Sequence, residues 1–208
     1  MLPKTVLAVL AELAPAGGDR VYDVTRGGQP LVWIADAERT PRTAEIDRLA
    51  ALDALLAAGS ELAEPALERF HALFAAEPLV IDKWFSIQAR APEAGGRVFE
   101  RVQRLLRHPD FSIANPNRAR SLLMSFCMFN PAAFHRPDGA GYAFWAERVI
   151  EVDAANPQLA ARLARTMDRW SMLAAPYRAA ARTALARVAA APRLSGDVRE
   201  IVERSLAA

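Results

Sequence analysis

The chain has 208 residues, 52% of them hydrophobic and 24% charged, with a formal net charge of +2. That length supplies a real core for one large domain or two small ones. No window approaches the ~20 apolar residues a membrane span requires, so a membrane protein is excluded. The lone Cys127 excludes an internal disulfide and implies a reducing, cytoplasmic setting.

Only 8% of the residues are aromatic, and β-branched residues are sparse after residue 34, a composition that favours helices. The opening "MLPKTVLAVLAEL" superficially resembles a signal peptide. Its apolar run from Val6 to Leu10 is short and soon interrupted by Glu12, and Lys4 is the only basic residue before it, so neither a signal peptide nor a membrane anchor is expected. Next, "RVYDVTRGGQPLVWIAD" has two β-prone runs around "RGGQ" and reads as a β-hairpin. An isolated hairpin is marginal in water, so it must lean on other elements or stay poorly ordered. Residues 1–43 are set apart as this N-terminal segment, and residues 44–208 as a helical domain.

The helical part begins with "TAEIDRLAALDALLAAGS", which places Ile46, Leu49, Leu52, Leu55 and Leu56 on one face. Thr43 is its expected cap and Gly59 its stop. "EPALERFHALFAAE" carries a stripe of Leu67, Phe70 and Phe74. "PLVIDKWFSIQARAP" is opened by Pro78 and closed before Pro92, and "GGRVFERVQRLLRHPDF" carries Val98, Val102, Leu105 and Leu106. Three Asn-Pro pairs then stand at 115–116, 130–131 and 156–157. Asparagine accepts a hydrogen bond from a free first-turn amide, and proline at the first helical position sacrifices no intrahelical bond. Each pair therefore starts a helix. The first of these, "NPNRARSLLMSFCMF", is apolar nearly all round its second half and is expected to be a central buried helix. "GYAFWAERVIEVDAAN", "NPQLAARLARTMDRWSML", "APYRAAARTALARVAAA" and "SGDVREIVERSLAA" complete the series, the last capped by Ser195 with Asp197 and Glu200 near its positive end. About nine helices with short connections predict an all-α fold of antiparallel pairs, an α-solenoid or compact superhelical array.

Residues 1–96 hold nine basic and fourteen acidic residues, whereas residues 97–208 hold seventeen and ten. A basic half could suit nucleic acid, but its arginines are spread along helices beside acids and never adjoin, which describes solvated faces instead. The three histidines, His71, His108 and His135, never stand four apart, so no His-Glu-x-x-His zinc helix exists. Cys127 sits among Phe126, Met128 and Phe129, which points to burial and a high thiol pKa, not to a nucleophile. No phosphate loop or serine elbow is present. Arg118 and Arg120 are two apart and point about 200° apart on a helix, with Arg120 toward the apolar side. An arginine there needs an anionic or carbonyl partner, either a structural salt bridge or a ligand.

The blocks "VIDKWFSIQARAP", "LLRHPDFSIANPNRARSLL", "NPAAFHRPDGAGYAFWAERVIEVDAANPQLAARL" and "LSGDVREIVERSLA" resemble the C-terminal helical domain of bacterial aminopeptidase N, a zinc-dependent alanyl aminopeptidase family. The resemblance runs from about Asp47 to Ala208 and leaves out residues 1–43. It implies a superhelix of helix pairs that caps a catalytic domain, encloses a chamber and restricts entry to peptides. It also implies that zinc, the catalytic glutamate and the groups binding the substrate amine lie in another domain. On that expectation this chain holds no catalytic residue and no cofactor, is inactive alone, and is an excised or separately encoded domain. Its partners would be the catalytic domain, in cis or as a separate chain, and a peptide substrate. Arg120 and Arg162 match arginines that line the chamber and contact the C-terminal part of the peptide, and Arg118 is a weaker candidate. The alternative is a free-standing helical-repeat interaction protein descended from such a domain.

Overall fold

The computed structural model describes residues 41–207, with side chains from residue 48 onward, and helices are the only regular structure among them. The hairpin expected from "RVYDVTRGGQPLVWIAD" lies outside the described residues. The chain forms two compact units, one ending at Ile87 and the other starting at Gln88.

The first unit contains α1 (Pro41–Ala57), α2 (Ala63–Phe74) and most of α3 (Pro78–Ala89). Thr43 lies inside α1 and does not cap it, because the helix already runs at Pro41, a residue suited to a first turn. The stop is as expected: Gly59 turns to φ +61°, and the amides of Gly59 and Ser60 return to the carbonyls of Leu56 and Leu55. Leu52, Leu55 and Leu56 of α1 are buried, as are Leu67 and Phe70 of α2, so the predicted faces do make the core. Trp84 of α3 donates its indole N–H to the Leu67 carbonyl of α2 at 2.9 Å. The buried ring thereby places its polar atom where a partner exists.

The second unit holds α4 (Arg97–Leu105), α5 (Pro116–Ala119), a π-helical segment (Arg120–Met124), α6 (Ser125–Phe129), α7 (Pro131–Phe134), α8 (Ala140–Ala155), α9 (Pro157–Ala164), α10 (Ala175–Ala189) and α11 (Gly196–Ala207). All three asparagine caps form. Asn115 accepts from the amides of Asn117 and Arg118, Asn130 from Ala133 and Asn156 from Leu159. Asn130 does more. It is buried, and its amide nitrogen donates to the carbonyls of Ala89 and Ala91 at 2.9 and 2.8 Å, so one side chain starts α7 and fastens an earlier loop.

Helices α8 and α9 pack together, as do α10 and α11, and in addition α8 packs on α10 and α9 on α11. First helix on first helix and second on second is how successive pairs stack in helical repeats. Within this stack Trp145 of α8 donates to the Leu163 carbonyl of α9 at 2.9 Å, and Trp170 donates to the Ser205 carbonyl of α11 at 2.7 Å. Asp153, buried in α8, accepts from both the amide and the hydroxyl of Ser195. The Ser195 hydroxyl oxygen accepts in turn from the Val198 amide, so the expected cap of α11 is itself held by α8. The start of α8 runs so close to α7 that a Cβ at Gly141 would lie 2.0 Å from the Phe134 carbonyl oxygen, a space only glycine fits.

Two expected helices are interrupted. The stretch from 157 to 173 is α9 followed by two short 3₁₀ turns, Arg165–Met167 and Trp170–Met172. The Leu163 carbonyl is taken by the Trp145 indole and the Thr166 hydroxyl, so it is engaged outside the regular helical ladder. The stretch from 116 to 129 is α5, a π segment and α6, where a regular helix is expected.

Candidate functional site

The three arginines singled out by sequence separate into two kinds. Asn115 and Pro116 set the start of α5, and Arg118 follows within its single turn. Arg118 is buried at 5% exposure and donates from Nη1 to the Asp110 carbonyl at 2.6 Å. Its guanidinium thus holds the preceding loop and is not presented to a ligand. Arg120 is exposed. That reverses the expectation that Arg120 leans toward the apolar side. The cause is local: the π segment begins at Arg120, and its wider turn shifts the angular phase on which the expectation relied. Leu122 and Leu123 take the buried positions of that segment.

Arg162 lies on α9, whose buried side is formed by Leu159, Ala160, Leu163 and Ala164, and the guanidinium side chain is exposed. The π segment packs against α9, so the elements carrying Arg120 and Arg162 are neighbours. Arg120 makes one long contact, Nη2 to the Asn117 side-chain oxygen at 3.4 Å. Among the described residues no carboxylate pairs with Arg120 or Arg162. Two permanently charged, planar donor groups on adjoining elements can therefore take an anionic or carbonyl-rich ligand without first breaking an ion pair.

Several other polar groups of the unit are engaged structurally. His135 ends α7, and its Nδ1 lies 2.8 Å from the Tyr142 hydroxyl of α8. Burial lowers the His135 pKa below its usual value and pushes Tyr142 up to about 12. Arg136 binds Asp138 through two hydrogen bonds, 3.1 and 2.7 Å, and its guanidinium lies 4.8 Å from the Phe99 ring centre. Asp138 also accepts from the Ala140 amide at the start of α8. The Arg136 hydrogen bonds, then the amide, hold its carboxyl at about 2. Cys127 is buried, and that burial pushes its thiol pKa far up, as expected of an inert core thiol.

One surface feature escaped the sequence reading. Met128 and Phe129, expected in the buried helix, are 47% and 61% exposed, although Phe126 and Cys127 beside them are buried. They occupy the last turn of α6, just before the Asn130 cap, and the chain turns away from the core there. The Arg90 guanidinium covers one side of the Phe129 ring. The nearness of Asn130-Pro131 was the available signal, since the last turn before a new helix start projects past the packing face.

Successive helix pairs stacked in this way are the arrangement of a helical-repeat domain of the armadillo type. Residues 34–207 match the domain of unknown function DUF3458_C, described as ARM repeats. The chain is 44% identical over 160 residues to aminopeptidase N of Caulobacter vibrioides and 39% identical over 161 residues to aminopeptidase N of Escherichia coli. Each of these alignments covers 77% of this chain and 18% of the relative. Among solved structures, aminopeptidase A of Legionella pneumophila in complex with aspartic acid matches with a TM-score of 0.71 and 34% identity, over 77% of this chain and 18% of that one. The chain belongs to the DUF3458_C family of ARM-repeat domains, the C-terminal domain of aminopeptidase N. It spans less than a fifth of the length of these relatives.

Proposed function

We propose that the chain is the non-catalytic, chamber-walling C-terminal part of an aminopeptidase N-type zinc peptidase, and that Arg120 and Arg162 help bind the peptide. The observation that carries this reading is the pair of exposed guanidiniums on packed neighbouring elements, neither taken by a carboxylate among the described residues. A guanidinium fork suits peptide carbonyls and a terminal carboxylate. Arg118, buried and bonded to the Asp110 carbonyl, serves here by fixing the loop beside them. Zinc on this reading belongs to another segment of the enzyme, since the three histidines of this sequence do not form a His-Glu-x-x-His helix. No described helix is long and apolar enough to cross a membrane, and the single cysteine fits a cytoplasmic enzyme.

The test is to replace each matching arginine by alanine in full-length aminopeptidase N of Caulobacter vibrioides. A lost charge-assisted hydrogen bond is worth about 1.5–3 kcal/mol, so KM for tri- and tetrapeptides should rise roughly 10- to 100-fold. Turnover of a single-residue alanyl chromogenic substrate, which does not reach the arginines, should hold. Unchanged peptide kinetics in both variants would remove the arginines from the proposal.

A second reading, a free-standing helical-repeat interaction module, draws on the exposed Met128, Phe129 and Met172, the last 80% exposed. It differs from the first in what covers those side chains: an unrelated protein, and not a catalytic domain.

A further inference from the structure

Among the acid-free stretches of the basic half, one is rich in arginine. Between Asp168 and Asp197 there are five arginines and no aspartate or glutamate. Two of them, Arg178 and Arg182, stand one turn apart on α10, so they share a face. Together with Trp170, Ala175 and Ala179 they line an open groove of about 360 Å³. Its floor is apolar, because alanines at 175 and 179 leave room beside the Trp170 ring. The Trp170 indole N–H is already given to the Ser205 carbonyl, so the ring offers the groove hydrocarbon only. Arg178 donates from Nε to the Leu173 carbonyl at 2.9 Å, which fixes its side chain and leaves its Nη groups for another partner. Among the described residues no carboxylate pairs with Arg178 or Arg182. By contrast, Arg187, further along the same helix, pairs with Glu147 at 3.1 Å. Apolar floor and unpaired guanidiniums call for a ligand with an apolar side chain flanked by negative charge.

We propose that this groove docks an acidic protein segment, an aromatic or large aliphatic side chain seated on Ala175, Ala179 and Trp170 with neighbouring Asp or Glu residues on Arg178 and Arg182. A volume of this order accommodates one side chain and its immediate backbone, while the open rim suits a continuing polypeptide better than an enclosed small molecule. The arginines add salt-sensitive attraction and select against basic segments, which they repel. This site is separate from Arg120 and Arg162, and it stands or falls independently of the peptidase reading.

The probe is a fluorescein-labelled, end-capped peptide with one phenylalanine flanked by glutamates, titrated with the full 208-residue chain by anisotropy. Binding is expected at low ionic strength, weakening as salt rises, with none for the lysine-flanked counterpart. Arg182→Glu should weaken it about tenfold or more, because a guanidinium becomes a like charge. Ala179→Trp should weaken it by filling the floor with both arginines intact, circular dichroism verifying the helical fold of each variant. Should Ala179→Trp not fold, the exposed Arg182→Glu and Arg178→Glu carry the test. Any of four results overturns the proposal: no binding at low salt, binding indifferent to the variants, benzoate competing as tightly as the peptide itself binds, or a short DNA duplex held as tightly with the same dependence on Arg182.

Discussion

Asparagine is used three times for one purpose and once for two. Asn115 and Asn130 each cap a helix, but Asn115 is exposed and Asn130 is buried with three partners. Losing a cap costs about 0.5–2 kcal/mol, which is the expectation for Asn115→Ala. Asn130→Ala loses the cap and also strands the carbonyls of Ala89 and Ala91, and an unpaired buried acceptor adds about 1–3 kcal/mol. Urea denaturation should therefore show a clearly larger fall in midpoint for Asn130→Ala than for Asn115→Ala, with the slopes alike. Equal falls would mean that the two carbonyl bonds contribute nothing net. The caps were legible in sequence because they depend only on neighbouring residues. The second duty of Asn130 was not, because its partners lie 39 and 41 residues away.

At the scale of elements, α7 meets α8 through His135, Tyr142 and the close approach at Gly141. His135 titrates below its ordinary 6.5 in the folded chain because burial disfavours the imidazolium. The unfolded chain therefore binds the proton more readily. The stability this joint contributes is fully present above about 6.5, the unfolded value, and is lost as pH falls through the lower folded value. Between pH 7.5 and 5 the wild-type urea midpoint should fall more than that of His135→Gln, which cannot titrate. Parallel pH curves would count against the assignment. Asp138 does not blur this window, as its stabilising effect is lost only below 3.8 and toward about 2. The element scale is also where sequence reading faltered. The number and order of helices around the Asn-Pro pairs could be read from periodicity. The π segment could not, and with it went the orientation of Arg120 relative to Met124 and Cys127, since one widened turn shifts the side chains after it against those before it. The break after Ala164 was hidden too, because Trp145 competes for the Leu163 carbonyl from 18 residues away.

For the whole molecule, the all-α class and the family followed from residues 44–208, where composition, capping and the quoted blocks agree. What the sequence left dark is which surface is used, since exposure at Met128, Phe129 and Arg120 is decided by packing between helices. The proposed role also makes a plain prediction about activity. The purified chain, supplied with zinc and an alanyl chromogenic substrate, should release no product above background, because the peptidase reading places metal ligands and catalytic base elsewhere. Chelator-sensitive hydrolysis by this chain alone would contradict that division of labour.

The ties that hold the helices together join residues 17, 18, 35, 41 and 42 positions apart. Every one closes a loop of no more than a few helices, so the entropy lost in forming it is small and can be recovered step by step. Contacts of this local kind keep the topological part of the folding barrier low. Each helix pair leans on the pair beside it, so the pairs can settle one upon the next in the order in which synthesis delivers them.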